Sequence, residues 1–464
     1  MIFTSIDYLL YLSTVFLFYW LSRSKDIQNV LLLLASYFFY GYIHPKLCIL
    51  LFGMTIVNFF SAILIEQYSR YRKWFLATSV VSCLAVLAYF KYYNFFITNI
   101  NKVFSEFGFT VGFTELNIIL PVGISFYTFQ TLSYTIDIYR GELKARRNFI
   151  DFALFVSFFP QLVAGPIERA KRLLPQIETA RRWDFHFFGS AWPLLIRGVV
   201  KKIVIADNVA IYADKVFMLE QPSLLLLTAG TLAFSVQIFA DFSAYTDIAR
   251  GSARLLGFKL IENFNTPYLS ISPSDFWRRW HISFSTWIRD YLYIPLGGSR
   301  SKNPVVSFWV IVATMSLCGL WHGAEWNFVL WGTYHGLLIY LYRLVGIGSA
   351  WVPANRGVRI VSCAVMFLFI CFGWCLFRTT DTGWLFAALI TNPIAGISGD
   401  SLYASGTILM YVLFYLSPLV LFAMLPKKKD RAGRVVAGCG YGFILIFTLL
   451  YYGEGGQDFI YFQF

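Results

Sequence analysis

Long apolar runs separated by short polar connections dominate the pattern of hydrophobic and polar positions along this chain. Many runs approach the length of about 20 residues that an α-helix needs to cross a membrane. The pattern predicts membrane segments near residues 7–22, 29–43, 46–65, 74–97, 116–136, 188–206, 224–243, 305–321, 326–346, 358–377, 404–425 and 434–452. Other runs are short or lie between loops of the same charge, which favours re-entrant or interfacial helices at 149–167, 203–218 and 383–392.

The composition agrees with an all-α, polytopic membrane protein. Of the 464 residues, 58% are hydrophobic and 14% are charged, whereas soluble domains carry about 25% charged residues. The mean hydropathy is +0.61. Because no stretch is long and polar enough for a separate soluble domain, we expect residues 1–464 to form a single membrane domain.

The net charge of +13 does not indicate nucleic-acid binding. The basic residues lie in short loops between apolar runs, where they would face the anionic lipids of the cytoplasmic leaflet. Basic residues follow the first run at Arg23 and Lys25 and none precedes it, so the N-terminus is predicted outside. The basic loop 426–431 is then cytoplasmic, which places the C-terminus outside as well.

Residues 137–202 hold 12 of the 38 basic residues of the chain and are interrupted by prolines. Proline disrupts the interior of a helix because it lacks the backbone N–H. We therefore predict a cytoplasm-facing region of irregular or shallow helices, rather than a series of regular membrane spans.

The segment 272–298, SPSDFWRRWHISFSTWIRDYLYIPLGG, predicts one amphipathic helix lying in the membrane interface. Ser272 is the expected N-cap and Pro273 suits the first helical position. At helical spacing, Trp277, Trp280, His281, Phe284, Ile288 and Tyr291 share one face. Arg278 and Arg279 lie off that face. His281 would therefore point with the aromatic residues, where it has either a functional role or a structural one.

The segment 318–336, CGLWHGAEWNFVLWGTYHG, places His322, Glu325 and His335 in an otherwise apolar stretch. Ionisable residues at membrane depth are candidates for function. His322 is either a general base or a hydrogen-bonded core histidine, whereas His335 fits a packing role better. In one continuous helix the two histidines would face different directions and would form no pair. Glu325 either orients an imidazole, pairs with an arginine, or is a helix-end acid near the interface.

Glycines flank the first histidine at Gly319 and Gly323, four residues apart. This spacing makes a smooth strip that either another backbone or a narrow ligand can approach closely. His322 and Glu325 have a spacing that could hold a metal ion, but no convincing third ligand is near, so no metal site is expected.

Acidic residues also interrupt the apolar run FADFSAYTDIARGSARLLGF, at Asp241 and Asp247. Acids at membrane depth need partners, and Arg250 and Arg254 are the candidates within the run. A structural or donor-binding role fits these carboxylates better than direct catalysis.

Several segments together resemble the membrane-bound O-acyltransferase family, in particular its alginate O-acetyltransferase membrane subunits. They occur in family order and read PVGISFYTFQTLSYTIDIYRGE, FFPQLVAGPIER, DFSAYTDIARGSARLLGFKLIENFNTPY, SPSDFWRRWHISFSTWIRDYLYIPLGGSR, GLWHGAEWNFVLWGTYHG and the terminal FIYFQF. The WHG triplet alone is weak, but the whole set is highly specific.

The resemblance implies a ring of membrane helices around a thin centre, where a funnel from each side meets the catalytic histidine. It assigns that histidine to His322 and a second recurrent histidine to His281. An acetyl group would pass from a cytoplasmic thioester, acetyl-CoA or an acyl carrier, across the bacterial inner membrane to an exported polysaccharide. Periplasmic acetyltransferase proteins would complete the modification. The basic region 137–202, Arg278 and Arg279 would meet the anionic donor.

Two rival functions remain open at this point. Within the family, the chain could transfer D-alanine from a carrier protein to teichoic acid. In a different class, it could be a proton-coupled transporter with the histidines as proton relays. Transporters often contain internal repeats, and none is visible in the sequence.

Overall fold

The computed structural model describes residues 3–42, 44–109, 112–163, 165–298, 303–348, 350–390, 398–424, 431–450 and 459. The predicted cytoplasmic loop 426–431 lies almost entirely outside these residues, as does most of the terminal FIYFQF. The all-α prediction is confirmed, since no strand occurs in the described ranges. The chain divides into two compact units, of which unit 1 holds 1–189 and 252–261, and unit 2 holds 190–251 and 262–464. Whether residues 1–464 act as one domain stays a prediction.

Most of unit 1 is a set of helices of 14 to 21 residues followed by shorter ones. Its helices are α1 (Ile6–Leu21), α2 (Lys25–Gly41), α3 (Leu47–Gln67), α4 (Arg72–Leu87), α5 (Tyr93–Glu106), α6 (Ile124–Tyr139), α7 (Phe149–Ser157), α8 (Phe159–Leu162), α9 (Ala170–Glu178) and α10 (Phe185–Gly189). A π-helical segment, Ala88–Tyr92, joins α4 to α5. The short helices α7 to α10 agree with the predicted irregular basic region.

The predicted segment 116–136 begins too early. Helix α6 starts only at Ile124, after Gly123, whose φ of 76° is in the left-handed region. A side chain at Gly123 would collide with the carbonyl of Leu162, so this turn requires glycine for both conformation and space. Residues 112–120 form no regular structure.

Helix α13 (Leu224–Leu255) belongs to unit 2 up to residue 251, and its last four residues are counted with unit 1. The other helices of unit 2 include those that carry or flank the candidate histidines. They are α11 (Trp192–Val200), α12 (Asp207–Phe217), α14 (Pro273–Arg279), α15 (Ile282–Ile288), α16 (Pro304–His322), α17 (Trp326–Leu344), α18 (Arg356–Arg378), α19 (Thr382–Ile390), α20 (Gly399–Met424) and α21 (Arg431–Leu450). Two more π-helical segments occur here, at Lys201–Ala206 and Arg289–Tyr293.

Helices of membrane-spanning length and apolarity confirm a multi-pass membrane protein. Within the described residues six qualify: Leu47–Gln67, Ser69–Glu106, Leu224–Leu255, Pro304–His322, Arg356–Arg378 and Gly399–Leu419. The ring of about a dozen helices stays a prediction, and so does the placement of the two termini.

Candidate active site

Helices α16 and α17 form an antiparallel hairpin. The first of them, α16, ends at His322. The C-cap is Gly323, and Glu325 precedes the first residue of α17. A methyl group on Gly319 would collide with the carbonyl oxygen of Phe328, and one on Gly332 would meet that of Met315. The glycines therefore bring the two backbones into contact, the first of the two roles that the sequence left open. The space beside Gly319 that a ligand would need is filled by α17.

Glu325 is exposed at the N-terminal end of α17. An acid there interacts favourably with the positive end of the helix dipole. This position corresponds to a helix-end acid, and not to a group that orients His322.

The predicted single helix over 272–298 is wrong, because the chain breaks at His281. Ser272 caps α14 as predicted, its hydroxyl accepting from the N–H of Asp275 at 3.2 Å. His281 has a φ of 43°, which interrupts the helix between α14 and α15. Asn263 holds the break, since its carbonyl accepts from the N–H of Ile282 at 2.9 Å and its side chain from that of Ser283 at 3.1 Å.

The break directs His281 into the protein, where it is fully buried. Its ring meets that of Phe242 at 4.7 Å in a T-shaped arrangement and that of Phe284 at 5.1 Å. Burial among these apolar groups lowers the pKa of His281 to about 3. An imidazole with so low a pKa accepts a proton only weakly at physiological pH, which suits a hydrogen-bonding or positioning role better than that of a general base.

Aromatic rings connect the three buried histidines of unit 2. Phe284 contacts both His281 and His322, with centroid distances of 5.1 and 5.6 Å. Trp331 in turn lies 5.1 Å from His322 and 5.0 Å from His335. The premise of a continuous helix fails at the hairpin turn, so His335 shares a cluster with His322 although a tryptophan separates them. His322 itself is 4% exposed.

A cavity of about 490 Å³ lies beside this cluster, between α14–α15 and α16–α17. Its inner wall includes Phe284, Thr314 and Cys318. The hydroxyl of Thr314 and the indole N–H of Trp277 are buried at this wall and make no hydrogen bond within the described ranges. Ligand cavities of this size are mostly apolar with a few placed polar groups.

Arginines line the same cavity at Arg278, Arg289 and Arg343. Of the two arginines predicted to meet a donor, Arg278 is thus at the cavity. Arg279 is not among its lining residues, and donates instead to the carboxylate of Asp275 at 3.0 Å. Sequence reasoning missed Arg289 and Arg343, although Arg289 lay within the segment taken as one helix.

The predicted partners of the two acids in α13 are only partly right. Asp247 meets Arg250 at 3.5 Å, as expected, and also Lys201 at 2.8 Å. Asp241 pairs instead with Lys202, whose Nζ lies 3.1 Å from Asp241 and 2.8 Å from Asp207. The signal in the sequence was the Lys201–Lys202 pair, which interrupts the apolar run 188–206 and which the structure places in a π-helical segment.

Burial raises the pKa of Asp207 to about 6, against the opposing effect of the Lys202 ammonium. The Lys202 cluster thus holds one cation and two acids, one of them protonated more easily than usual. Phe242, the residue after Asp241, is the ring that meets His281. The Lys202 cluster is therefore linked to His281 through Asp241 and the adjacent Phe242.

Comparisons with known proteins agree with the resemblance seen in the sequence. The model of the MBOAT, membrane-bound O-acyltransferase family, matches residues 141–380. The probable alginate O-acetylase AlgI of Pseudomonas aeruginosa is 41% identical over 82% of this chain and 72% of the relative. The peptidoglycan O-acetyltransferase of Helicobacter pylori is 34% identical over 83% of this chain and 80% of the relative.

A more distant relative, the teichoic acid D-alanyltransferase of Bacillus subtilis, is 29% identical over 56% of this chain and 69% of its own length. The matched residues 141–380 include the three buried histidines, the cavity and the Lys202 cluster. On these findings the chain belongs to the membrane-bound O-acyltransferase family and is a membrane-embedded O-acyltransferase.

Proposed function

We propose that this protein takes an acetyl group from a cytoplasmic thioester and passes it across the bacterial inner membrane for O-acetylation of an exported, alginate-like polysaccharide. The observation that carries the proposal is the cavity wall at Phe284, whose ring contacts both His281 and His322. The similarity to a probable alginate O-acetylase over most of the chain supports the choice of acetyl group and polymer.

The cavity suits a donor that is anionic at one end and narrow at the other. Guanidinium groups pair well with phosphates, and Arg278, Arg289 and Arg343 supply them. The pantetheine arm carries amides along a thin chain, and the buried Thr314 hydroxyl and Trp277 N–H offer hydrogen bonds to it. Coenzyme A and the phosphopantetheine of an acyl carrier share both features, so either fits this donor site.

His322 would act as the general base. It would take the proton from an acceptor hydroxyl, whose oxygen attacks the thioester carbonyl carbon. The C–S bond then breaks, and the departing thiolate takes up the proton held on the imidazole. Aromatic rings surround His322 and exclude water, which protects the thioester from hydrolysis. His281, neutral and buried, would position Phe284 and the groups around it.

Periplasmic acetyltransferase proteins would receive the acetyl group and complete its transfer to the polymer. Both chain termini would lie outside, with the basic loops facing anionic lipids on the cytoplasmic side.

The test is transfer of radiolabelled acetyl groups from acetyl-CoA by the purified protein in lipid, with and without periplasmic partner proteins. We expect label transfer in the wild type and in His44→Ala, whose histidine is exposed, and its loss in His322→Ala. Full transfer by a folded His322→Ala protein would overturn the catalytic assignment.

Two further arms address the rival functions. Label transferred from a D-alanyl carrier protein but not from acetyl-CoA would favour D-alanyl transfer, which the likeness to a teichoic acid D-alanyltransferase keeps as the second candidate. Substrate flux without any acyl transfer would favour a transporter.

A further inference from the structure

A second cavity, of about 500 Å³, lies in unit 1 where two helices end. Trp20 stands in the last turn of α1, and its indole N–H donates to the carbonyl of Leu255, the last residue of α13, at 3.0 Å. The two helix ends are therefore level with each other. Tryptophan at the end of an apolar helix is typical of the headgroup region of a membrane, and α1 is apolar, although shorter than the six helices of spanning length. We therefore infer that this cavity opens at the depth of the headgroups.

The charge of the cavity is positive. Arg181, Arg182 and Arg254 line it together with one acid, Asp184. The Asp184 carboxylate accepts a hydrogen bond from the backbone N–H of His186 at 2.8 Å. Arg182 is exposed, and its side chain makes no hydrogen bond or ion pair with the part of the chain that the structure describes. An anion is the complementary ligand.

Arg181 gives an independent indication of the same kind, because it is a cation with only 8% of its surface exposed. It donates to the Tyr19 hydroxyl at 2.9 Å, to the Asn29 amide oxygen at 2.5 Å and to the carbonyl of Ile177 at 2.7 Å. Within the described ranges, none of its hydrogen bonds reaches a carboxylate. A buried charge with only neutral partners is costly, and a bound anion in the cavity would offset that cost.

Apolar surface continues outward from the cavity. The Trp183 ring lies 5.1 Å from Trp20 and 5.6 Å from Phe185. Phe185 is 79% exposed, as is Leu21 at the end of α1. A soluble phosphate compound would leave this apolar surface uncovered, whereas the acyl chains of a lipid would cover it.

We propose that this cavity binds the phosphate headgroup of an anionic phospholipid, with Arg182 and Arg254 contacting the phosphate and the acyl chains lying along α1 and the Trp183 cluster. Arg182 and Arg254 would select an anionic headgroup, and the positive charge of the buried Arg181 would add to the attraction. The site lies in unit 1 and does not depend on the acyl-transfer proposal.

The experiment measures phosphatidylglycerol retained by the full-length protein, using native mass spectrometry and exchange of radiolabelled lipid in nanodiscs. In the double variant Arg182→Gln/Arg254→Gln we expect affinity to fall at least tenfold, since each basic residue near an anionic surface contributes about fivefold. The single variant Arg70→Gln is the matched control, because Arg70 is also basic and exposed but lies outside the cavity. Thermal unfolding establishes that both variants are folded.

Competition distinguishes the possible sources of phosphate. Displacement of the labelled lipid by unlabelled phosphatidylglycerol, and not by phosphatidylcholine, would support the proposal. Equal displacement by phosphatidylcholine, or unchanged affinity in the folded double variant, would overturn it. Stronger displacement by 3′-phosphoadenosine 5′-phosphate than by short-chain phosphatidylglycerol would assign the cavity to a nucleotide and overturn the lipid assignment.

Discussion

The ring of Phe284 stands edge-on to the ring of His322, at a centroid distance of 5.6 Å and an angle of 64°. Phe284 also lines the cavity of about 490 Å³, so one side chain contacts both that cavity and the proposed base. Small displacements of reacting groups are costly, and about 1 Å reduces a rate roughly 100-fold.

We therefore expect Phe284→Leu to reduce kcat for acetyl transfer by roughly 10- to 100-fold while changing KM for the donor much less. Ile339→Val is the matched control, since Ile339 lines the cavity without being among the rings around the histidines. Steady-state kinetics with acetyl-CoA separate the two parameters. A change in KM alone would show that Phe284 shapes only the cavity.

Three arginines line the cavity, of which Arg278 was predicted from the sequence to meet the donor, whereas Arg289 and Arg343 were not. Replacing Arg278 or Arg343 with glutamine should raise KM for acetyl-CoA about tenfold, as charge-assisted hydrogen bonds to phosphate are lost. Arg279→Gln should leave KM nearly unchanged, because Arg279 bonds to Asp275 and does not line the cavity.

Acetyl-pantetheine, a donor without the nucleotide phosphates, gives a sharper comparison. With this donor the wild type and the Arg278 and Arg343 variants should have similar KM values. A persistent difference would mean that these arginines act on the fold and not on the phosphates.

The third prediction concerns the close contact between α16 and α17 at Gly319. Gly319→Ala would place a methyl group against the Phe328 carbonyl, and overpacking of this kind costs about 1–3 kcal/mol or more. The hairpin should separate, lowering both thermal stability and activity. Gly53→Ala in α3 is the control, because nothing lies within 4 Å of the added methyl group, and it should be neutral or slightly stabilising.

The elements that could be predicted from the sequence are those that depend on interactions between residues close together in the chain. Apolar runs predicted α16 and α17 within a few residues, at 305–321 and 326–346 against Pro304–His322 and Trp326–Leu344. The Ser272 cap was equally visible, since capping depends on a few adjacent residues. The break at His281 was not, because Asn263 holds it from a separate segment.

The candidate site shows the same division. Residue type identified His322 and His281 as candidates, whereas their common neighbour Phe284 depends on how α15 packs beside α16. The pairing of Asp241 with Lys202 likewise joins two distant helical segments, and no periodicity in the sequence encodes it.

The Lys202 cluster makes a fourth prediction. The Lys202 side chain is 2% exposed and its ammonium contacts both Asp207 and Asp241. Lys202→Met would leave the buried Asp241 carboxylate and the half-buried Asp207 carboxylate without this counter-charge, which should cost about 3–5 kcal/mol of stability. Lys201→Met is the control and should cost less, because Asp247 keeps Arg250 as a partner.

Denaturation in detergent measures both losses, and the double variant Lys202→Met/Asp241→Leu should recover part of the first. No recovery in the double variant would show that Lys202 stabilises the fold by packing and not through Asp241.

The burial of His281 predicts how stability depends on pH. Its folded-state pKa of about 3 lies below the ordinary value of 6.5, so the unfolded chain binds a proton that the folded protein resists. The free energy of unfolding is therefore highest above pH 6.5, where neither state binds this proton, and it falls as the pH decreases toward 3. Between pH 6 and 4, the free energy of unfolding of the wild type should fall more steeply than that of His281→Gln, by up to about 1.4 kcal/mol per pH unit.

Chemical denaturation at several pH values measures this difference, and His44→Gln, at an exposed position, should show the wild-type slope. Because His281 stays neutral between pH 5 and 9, any pKa seen in that range of the pH–rate profile belongs to another group. It should therefore persist in the residual activity of His281→Gln. Loss of that pKa in the His281→Gln profile would identify His281 as a titrating base and reverse the roles assigned to His281 and His322.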